Sequence, residues 1–233
     1  MSKSDSANEP SILRLIAVPA LISLAVTIVR LIGELEHWSS TWFSSETGGI
    51  APSGMSWLIG ITWLAAPFGA YFAFRLVASG QGPESVQKAV ICSVLGIGIL
   101  LTWALRLIPS PNIRFPKVLI FVWLVMVVAA SFQLPGWPRL FKVLLSYGLA
   151  SRMPVAIIML LAMLGNWGTH YDYVGMPPEF QMPLVPKYFW LAFFPQLVFW
   201  VGFTIVIGSF CGAITAALMR VFIRAPAVVS PEA

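Results

Sequence analysis

The sequence predicts an all-α polytopic membrane protein with six transmembrane helices. Of its 233 residues, 58% are hydrophobic and only 10% are charged, whereas an ordinary soluble domain has about 25% charged and about 45–50% apolar residues. So few charges could not cover the surface of a soluble globule of this size, and intrinsic disorder requires the opposite balance. A water-soluble enzyme or binding module is therefore excluded, and the first partner we expect is the lipid bilayer.

Six apolar runs are long enough, or nearly so, to cross a hydrocarbon core of about 30 Å as helices. They are residues 12–33, 56–77, 88–108, 117–134, 152–171 and 187–219. Each must be helical, because a backbone exposed to lipid has to satisfy its own hydrogen bonds. We expect one six-helix transmembrane domain over residues 12–224, with polar cytoplasmic tails at 1–11 and 225–233.

The stretch before the fifth span predicts a short helix lying along the membrane surface. A single helix over residues 139–165 would place Arg152 and Pro154 in its interior, at a cost in both charge burial and backbone hydrogen bonding. A separate interfacial helix at Arg139–Ala150 avoids both costs, because Ser151 could then cap the fifth span. We therefore expect this break, with Arg152 at the interface.

The distribution of basic residues predicts that both termini are cytoplasmic. With the N-terminus inside, the inner side holds nine cations: Lys3, Arg14, Arg75, Lys88, Arg139, Lys142, Arg152, Arg220 and Arg224. The outer side holds four: Arg106, Arg114, Lys117 and Lys187. This excess favours cytoplasmic termini, and we expect a multi-pass protein of a bacterial cytoplasmic (inner) membrane. Because the cations stand singly at the ends of apolar runs, the net charge of +5 does not indicate nucleic-acid binding.

A polar stripe on the first helix is the strongest candidate site. Ser23, Thr27, Arg30, Glu34 and His37 follow helical spacings of four, three, four and three, so they share one face. An ionisable group at the depth of Arg30 usually faces the bundle interior or water. The stripe, with Asn166 of the fifth span, predicts a polar crevice open to the outer face. The alternative is that Arg30 extends outward and pairs with Glu34, with no further role.

The two histidines, His37 and His170, lie at the outer ends of the first and fifth spans. If these helices are neighbours, Glu34, His37, His170 and Asp172 could converge as a zinc or iron set, or the two histidines could ligate haem b. Lone interfacial histidines are more often polar caps, so we expect no cofactor and keep these metals as alternatives.

Small residues on the last helix predict a packing face. Gly208, Gly212 and Ala216 are spaced four apart, which lets two helices approach closely. The partner could be another helix of the chain, for which Gly96 and Gly98 are suitable, or a second subunit.

No catalytic or nucleotide-binding motif occurs, so the first functional hypothesis is a non-catalytic membrane subunit or accessory of a larger assembly. The alternatives are a transporter of a small solute or ion through the crevice at Arg30 and Glu34, and a metal- or haem-binding membrane enzyme or redox protein at His37 and His170. The partner would be a membrane protein or a second copy of the chain.

Overall fold

The computed structural model describes residues 11–45, 55–107, 117–173 and 181–224. Helices make up 77% of it and these ranges contain no strand, which confirms the all-α prediction. The helices are α1 (Ile12–Leu35), α2 (Ala65–Ala78), α3 (Val86–Leu107), α4 (Lys117–Ser131), α5 (Pro138–Gly165), α6 (Leu184–Lys187) and α7 (Val201–Arg224). Two π-helical segments, Tyr188–Phe193 and Pro195–Trp200, join α6 to α7. The predicted tails lie outside the described residues, apart from Ser11.

Three helical stretches are long and apolar enough to cross a membrane: Ile12–Leu35, Pro138–Gly165 and Leu184–Phe222. Three shorter apolar helices, Ala65–Ala78, Val86–Thr102 and Leu119–Ser131, overlap the other predicted spans. Large apolar side chains cover the outside of the bundle; on α1, Leu13, Val18 and Leu21 are all more than 60% exposed. Such a surface is consistent with an integral membrane protein whose outer faces contact lipid.

The expected interfacial helix at Arg139–Ala150 is wrong, because α5 runs without a break from Pro138 to Gly165. Ser151 lies inside this helix and its hydroxyl donates to the carbonyl of Gly148 rather than capping a helix. The first half of α5 buries Leu140 and Leu144 completely in the core. That packing outweighs the one backbone hydrogen bond lost at Pro154.

The second predicted span also begins later than expected, at Ala65 instead of residue 56. Residues 55–64 form consecutive turns, in which Leu58 N–H donates to Met55 O and Gly60 N–H to Trp57 O. Helix α2 is therefore 14 residues long, or about 21 Å. Pro67 falls in its first turn, where no backbone donor is needed. The rest of this span is non-helical backbone.

The predicted small-residue face of α7 packs inside the bundle. A Cβ added at Gly69 of α2 would overlap the backbone of Gly208, and one at Gly212 would meet Leu140 of α5 and Ala73 of α2. Ala216 is only 2% exposed. The two glycines of α3 that the sequence suggests as a partner surface do not approach α7 closely. A Cβ at Gly96 would meet Ala129 and Gln133, in and just after α4, whereas one at Gly98 would meet nothing.

Candidate functional site

The polar stripe of α1 faces the interior of the bundle. Ser23, Thr27 and Glu34 are 0%, 3% and 3% exposed, whereas Leu21 and Ile28 on the other side of the helix are 64% and 41% exposed. The stripe therefore contacts protein and not lipid. Because its inner residues are packed, this conformation shows no crevice open to the outside at Ser23 and Thr27.

Hydrogen bonds tie the inner half of the stripe to α5 and to the turn that follows it. The hydroxyls of Ser23 and Tyr147 lie 2.8 Å apart, and Ser23 also donates to Pro19 O, so Tyr147 serves as the donor between the two. Thr27 donates to Ser23 O, and Tyr171 OH donates to Thr27 O at 3.3 Å. Helices α1 and α5 are thus neighbours, as the metal hypothesis requires.

At the outer end of the stripe, three residues form what we call the Glu34 centre: Arg30, Glu34 and His170. The Glu34 carboxylate accepts from Arg30 Nε at 3.0 Å and from the backbone N–H of His170 at 2.9 Å. Its Oε1 also lies 2.6 Å from His170 Nδ1. The side chain of Glu34 is completely buried, whereas that of Arg30 is 13% exposed. Glu34 therefore joins α1 to the chain beyond α5.

The surroundings of His170 act in opposite directions on the pKa of its imidazole. Burial lowers the pKa of its imidazole, and the neighbouring Glu34 carboxylate opposes that shift. The side chain remains 23% exposed, so burial acts on it only in part. An imidazole with a lowered pKa makes the pair with Glu34 a polar contact at pH 7 more than a salt bridge.

The turn that carries His170 is internally braced. Thr169 and Asp172 form a capping box around the short 3-10 helix His170–Asp172, with the carboxylate accepting from the N–H groups of Gly168 and Thr169. Lys187 Nζ donates to the carbonyl of Asp172, and Tyr173 OH donates to Leu191 O. Burial raises the pKa of Tyr173 to about 12. These contacts fix the position of His170 against Glu34.

Other predicted site residues lie apart from this centre. Asn166 ends α5 in a left-handed conformation and is exposed, so it does not line the interior with the stripe. His37 is likewise exposed and left-handed, just after α1. Asp172 is engaged in its own turn. In the part of the chain that the structure describes, no three His, Cys, Asp or Glu residues come together as a metal site.

The structure adds a second polar centre, which the sequence analysis missed. Arg152, at the midpoint of α5, is only 5% exposed. Its Nη1 donates to Gln196 Oε1 at 3.5 Å, its Nη2 donates to Thr62 Oγ1 at 3.3 Å, and its Cζ lies 4.9 Å from the centre of the Trp200 ring. We call these four residues the Arg152 centre. No carboxylate among the described residues pairs with it, and its buried Nε has no hydrogen-bond partner.

The backbone around Arg152 departs from regular helix on two sides. Thr62 belongs to the turns at 55–64, and Gln196 and Trp200 belong to the π-helical segment Pro195–Trp200. Arg152 is 14 residues from Pro138 and 13 from Gly165, or about 20 Å from either end of α5. Non-helical backbone at mid-depth is tolerated only inside protein or beside water, and π-turns often occur at functional sites.

No family model, no curated protein and no solved structure matches this chain.

Proposed function

We propose that this protein is a multi-pass transporter of a small solute in a bacterial cytoplasmic membrane. It would cross the bilayer six times, with both termini in the cytoplasm. The observation that carries the proposal is the placement of two arginines, Arg30 and Arg152, inside the helical bundle at different depths. Charges within spans are costly and typically mark substrate or ion pathways.

The α1 stripe faces the interior of the bundle, and this position favours transport over the alternative in which Arg30 extends outward with no further role. The pair of Arg30 and Glu34 that the alternative expects is present, but Glu34 is completely buried between α1 and the His170 turn and does not lie at the interface. The packed stripe corresponds to a state closed on the outer side. Breaking the contacts of Glu34 with His170 would separate α1 from this turn and give access to Thr27.

The broken second span is also typical of transporters. Their substrate sites lie near the bilayer midplane and are commonly formed by discontinuous helices. In this chain the 55–64 turns precede the short α2 and contact both cations. Thr62 accepts from Arg152, and a Cβ added at Gly60 would lie 3.3 Å from Arg30 Nη1.

Reconstituted flux tests the proposal. In proteoliposomes on a solid-supported membrane, we expect a panel of cationic, neutral and anionic small solutes to include at least one that gives a protein-dependent flux. Arg30→Gln should reduce that flux at least about tenfold, because one charge-assisted hydrogen bond to Glu34 contributes about 1.5–3 kcal/mol.

Arg75→Gln is the matched control, since Arg75 is exposed on α2 and should leave the flux unchanged. No flux for any solute class, or equal flux from the Arg30→Gln variant, would contradict transport. The first result would favour a non-catalytic subunit of a larger membrane assembly, which remains our second candidate.

A further inference from the structure

We propose that the Arg152 centre binds a small oxyanion, either a carboxylate or a phosphate group. This inference rests on the proposed function and names the substrate class of its deeper site. It begins from the charge balance inside the bundle. Arg30 has Glu34 as its counter-ion, whereas Arg152 has only neutral partners among the described residues.

The neutral partners do not balance the charge of Arg152. Moving an ion out of water costs several kcal/mol even after the protein relaxes, and a hydroxyl, an amide oxygen and an indole ring return only part of that cost. Both hydrogen bonds are long, at 3.3 and 3.5 Å. A buried cation without a counter-ion is expected where a ligand supplies the opposite charge.

The geometry of the guanidinium indicates the kind of ligand. Arginine binds carboxylates and phosphates through two parallel N–H groups, a geometry that a lysine ammonium does not offer. The Nε–H of Arg152 is buried and unpartnered, so Nε and one Nη can bind two oxygens of one anion. Thr62 and the Gln196 amide can donate to its remaining oxygens.

The 55–64 segment is the element that would admit the anion. Its turns lack the continuous hydrogen-bond ladder of a helix, and Thr62 is only half-buried. This segment lies against Arg30 at Gly60 and against Arg152 at Thr62. An anion passing between the two centres would therefore meet one cation after the other.

Thermal unfolding of the purified full chain tests this site. In neutral detergent, sodium phosphate, sulfate, acetate and succinate are titrated against sodium chloride at equal ionic strength. We expect at least one oxyanion to raise the Tm saturably, because a ligand that binds only the folded state stabilises it. Arg152→Gln should weaken the apparent affinity at least tenfold, whereas Arg75→Gln should retain it.

One further measurement and one further variant keep the test decisive. Without anion, Arg152→Gln should have a Tm at or above that of the wild type, since a buried unpaired charge has been removed; a purely structural arginine would give a lower Tm. If Arg152→Gln does not fold, Arg152→Lys retains the charge but loses the paired N–H groups, and the same tenfold weakening is expected.

The same measurement in lipid nanodiscs of two compositions identifies the source of the oxyanion. In nanodiscs of phosphatidylcholine alone, a Tm rise with a free anion indicates a solute. A rise only when phosphatidylglycerol is added, and lost in Arg152→Gln, indicates a lipid headgroup. Wild-type protein that responds to no oxyanion in either medium, or an Arg152→Gln variant that responds equally, overturns the proposal.

The outcomes also separate this inference from transport itself. Oxyanion binding without flux would support the Arg152 centre and contradict the transporter. Flux of a neutral or cationic solute, with no oxyanion effect on Tm, would support transport and contradict the oxyanion site.

Discussion

At the scale of single residues, two interior arginines differ in their partners: Arg30 is paired with the Glu34 carboxylate, whereas Arg152 has only neutral partners among the described residues. The stripe from Ser23 to Glu34 is visible because its helical spacing is regular, and the structure places it on an interior face. The sequence predicts Arg152 at the interface, because an arginine inside a span is costly enough to favour a break in the helix. Its partners are 90 residues before it, at Thr62, and 44 after it, at Gln196. No local pattern could identify them.

Moving Arg152 into the bundle changes the count of cations by one, from nine to eight on the inner side against four on the outer. The excess still predicts cytoplasmic termini. The same correction places Arg152 inside the bundle at a different depth from Arg30. The sequence alone predicts only Arg30 there, and a second interior cation favours a transporter over a non-catalytic subunit.

At this scale we predict that Glu34→Gln destabilises the protein by about 1.5–3 kcal/mol, because charge-assisted hydrogen bonds contribute in that range. The substitution keeps the shape but removes the charge that balances Arg30. Unfolding in mixed detergent micelles measures the loss. Glu36→Gln, at the exposed residue just after α1, is the control and should change stability by less than about 0.5 kcal/mol. Equal effects of the two substitutions would show that Glu34 has no special structural role.

Among the helices, the sequence predicts existence better than boundaries. Among the described residues, every helix longer than four residues overlaps a predicted span. However, α2 begins nine residues after the start of the second predicted span, and α5 begins fourteen residues before the start of the fifth. In both cases tertiary packing decides. The first half of α5 packs into the core through Leu140 and Leu144. Residues 55–64 form turns instead of a helix, and these turns contact both Arg30 and Arg152.

The contact between α2 and α7 provides the prediction at this scale. Gly69→Ala should destabilise the fold by about 1–3 kcal/mol, because its Cβ would overlap the backbone of Gly208 and neither helix can move without disturbing the core. Detergent unfolding measures the change.

Gly98→Ala on α3 is the matched control. Its Cβ would meet nothing within 4 Å, so replacing a mid-helix glycine should stabilise the protein by about 0.5–1 kcal/mol. A neutral Gly69→Ala variant would mean that the α2–α7 approach is looser than the structure shows.

For the whole molecule, we propose that a polar pathway runs inside a bundle whose outer apolar faces contact lipid. Composition predicts the membrane environment, and the count of cations predicts the orientation. Neither predicts which helices are neighbours, because apolar surfaces facing lipid and apolar surfaces facing protein have similar sequences. The interior position of the stripe therefore had to come from the structure.

Adjacent positions on α1 allow this claim to be tested with cysteine labelling. In a background in which Cys92 and Cys211 are replaced by alanine, single cysteines are introduced at Thr27, which faces the interior, and at Ile28, which is 41% exposed on the lipid side. Ser40→Cys and Ser79→Cys, both at exposed positions in the connections beyond α1 and α2, report the outer and inner faces.

The decisive measurement is the rate at which a charged, membrane-impermeant thiol reagent modifies these cysteines in intact cells. Since the reactive thiolate and the charged reagent both require water, we expect rapid labelling at Ser40→Cys, slower but complete labelling at Thr27→Cys, and none at Ile28→Cys. Ser79→Cys should react only after permeabilisation. A Thr27→Cys variant as inert as Ile28→Cys, while Ser40→Cys reacts, would contradict a water-accessible pathway.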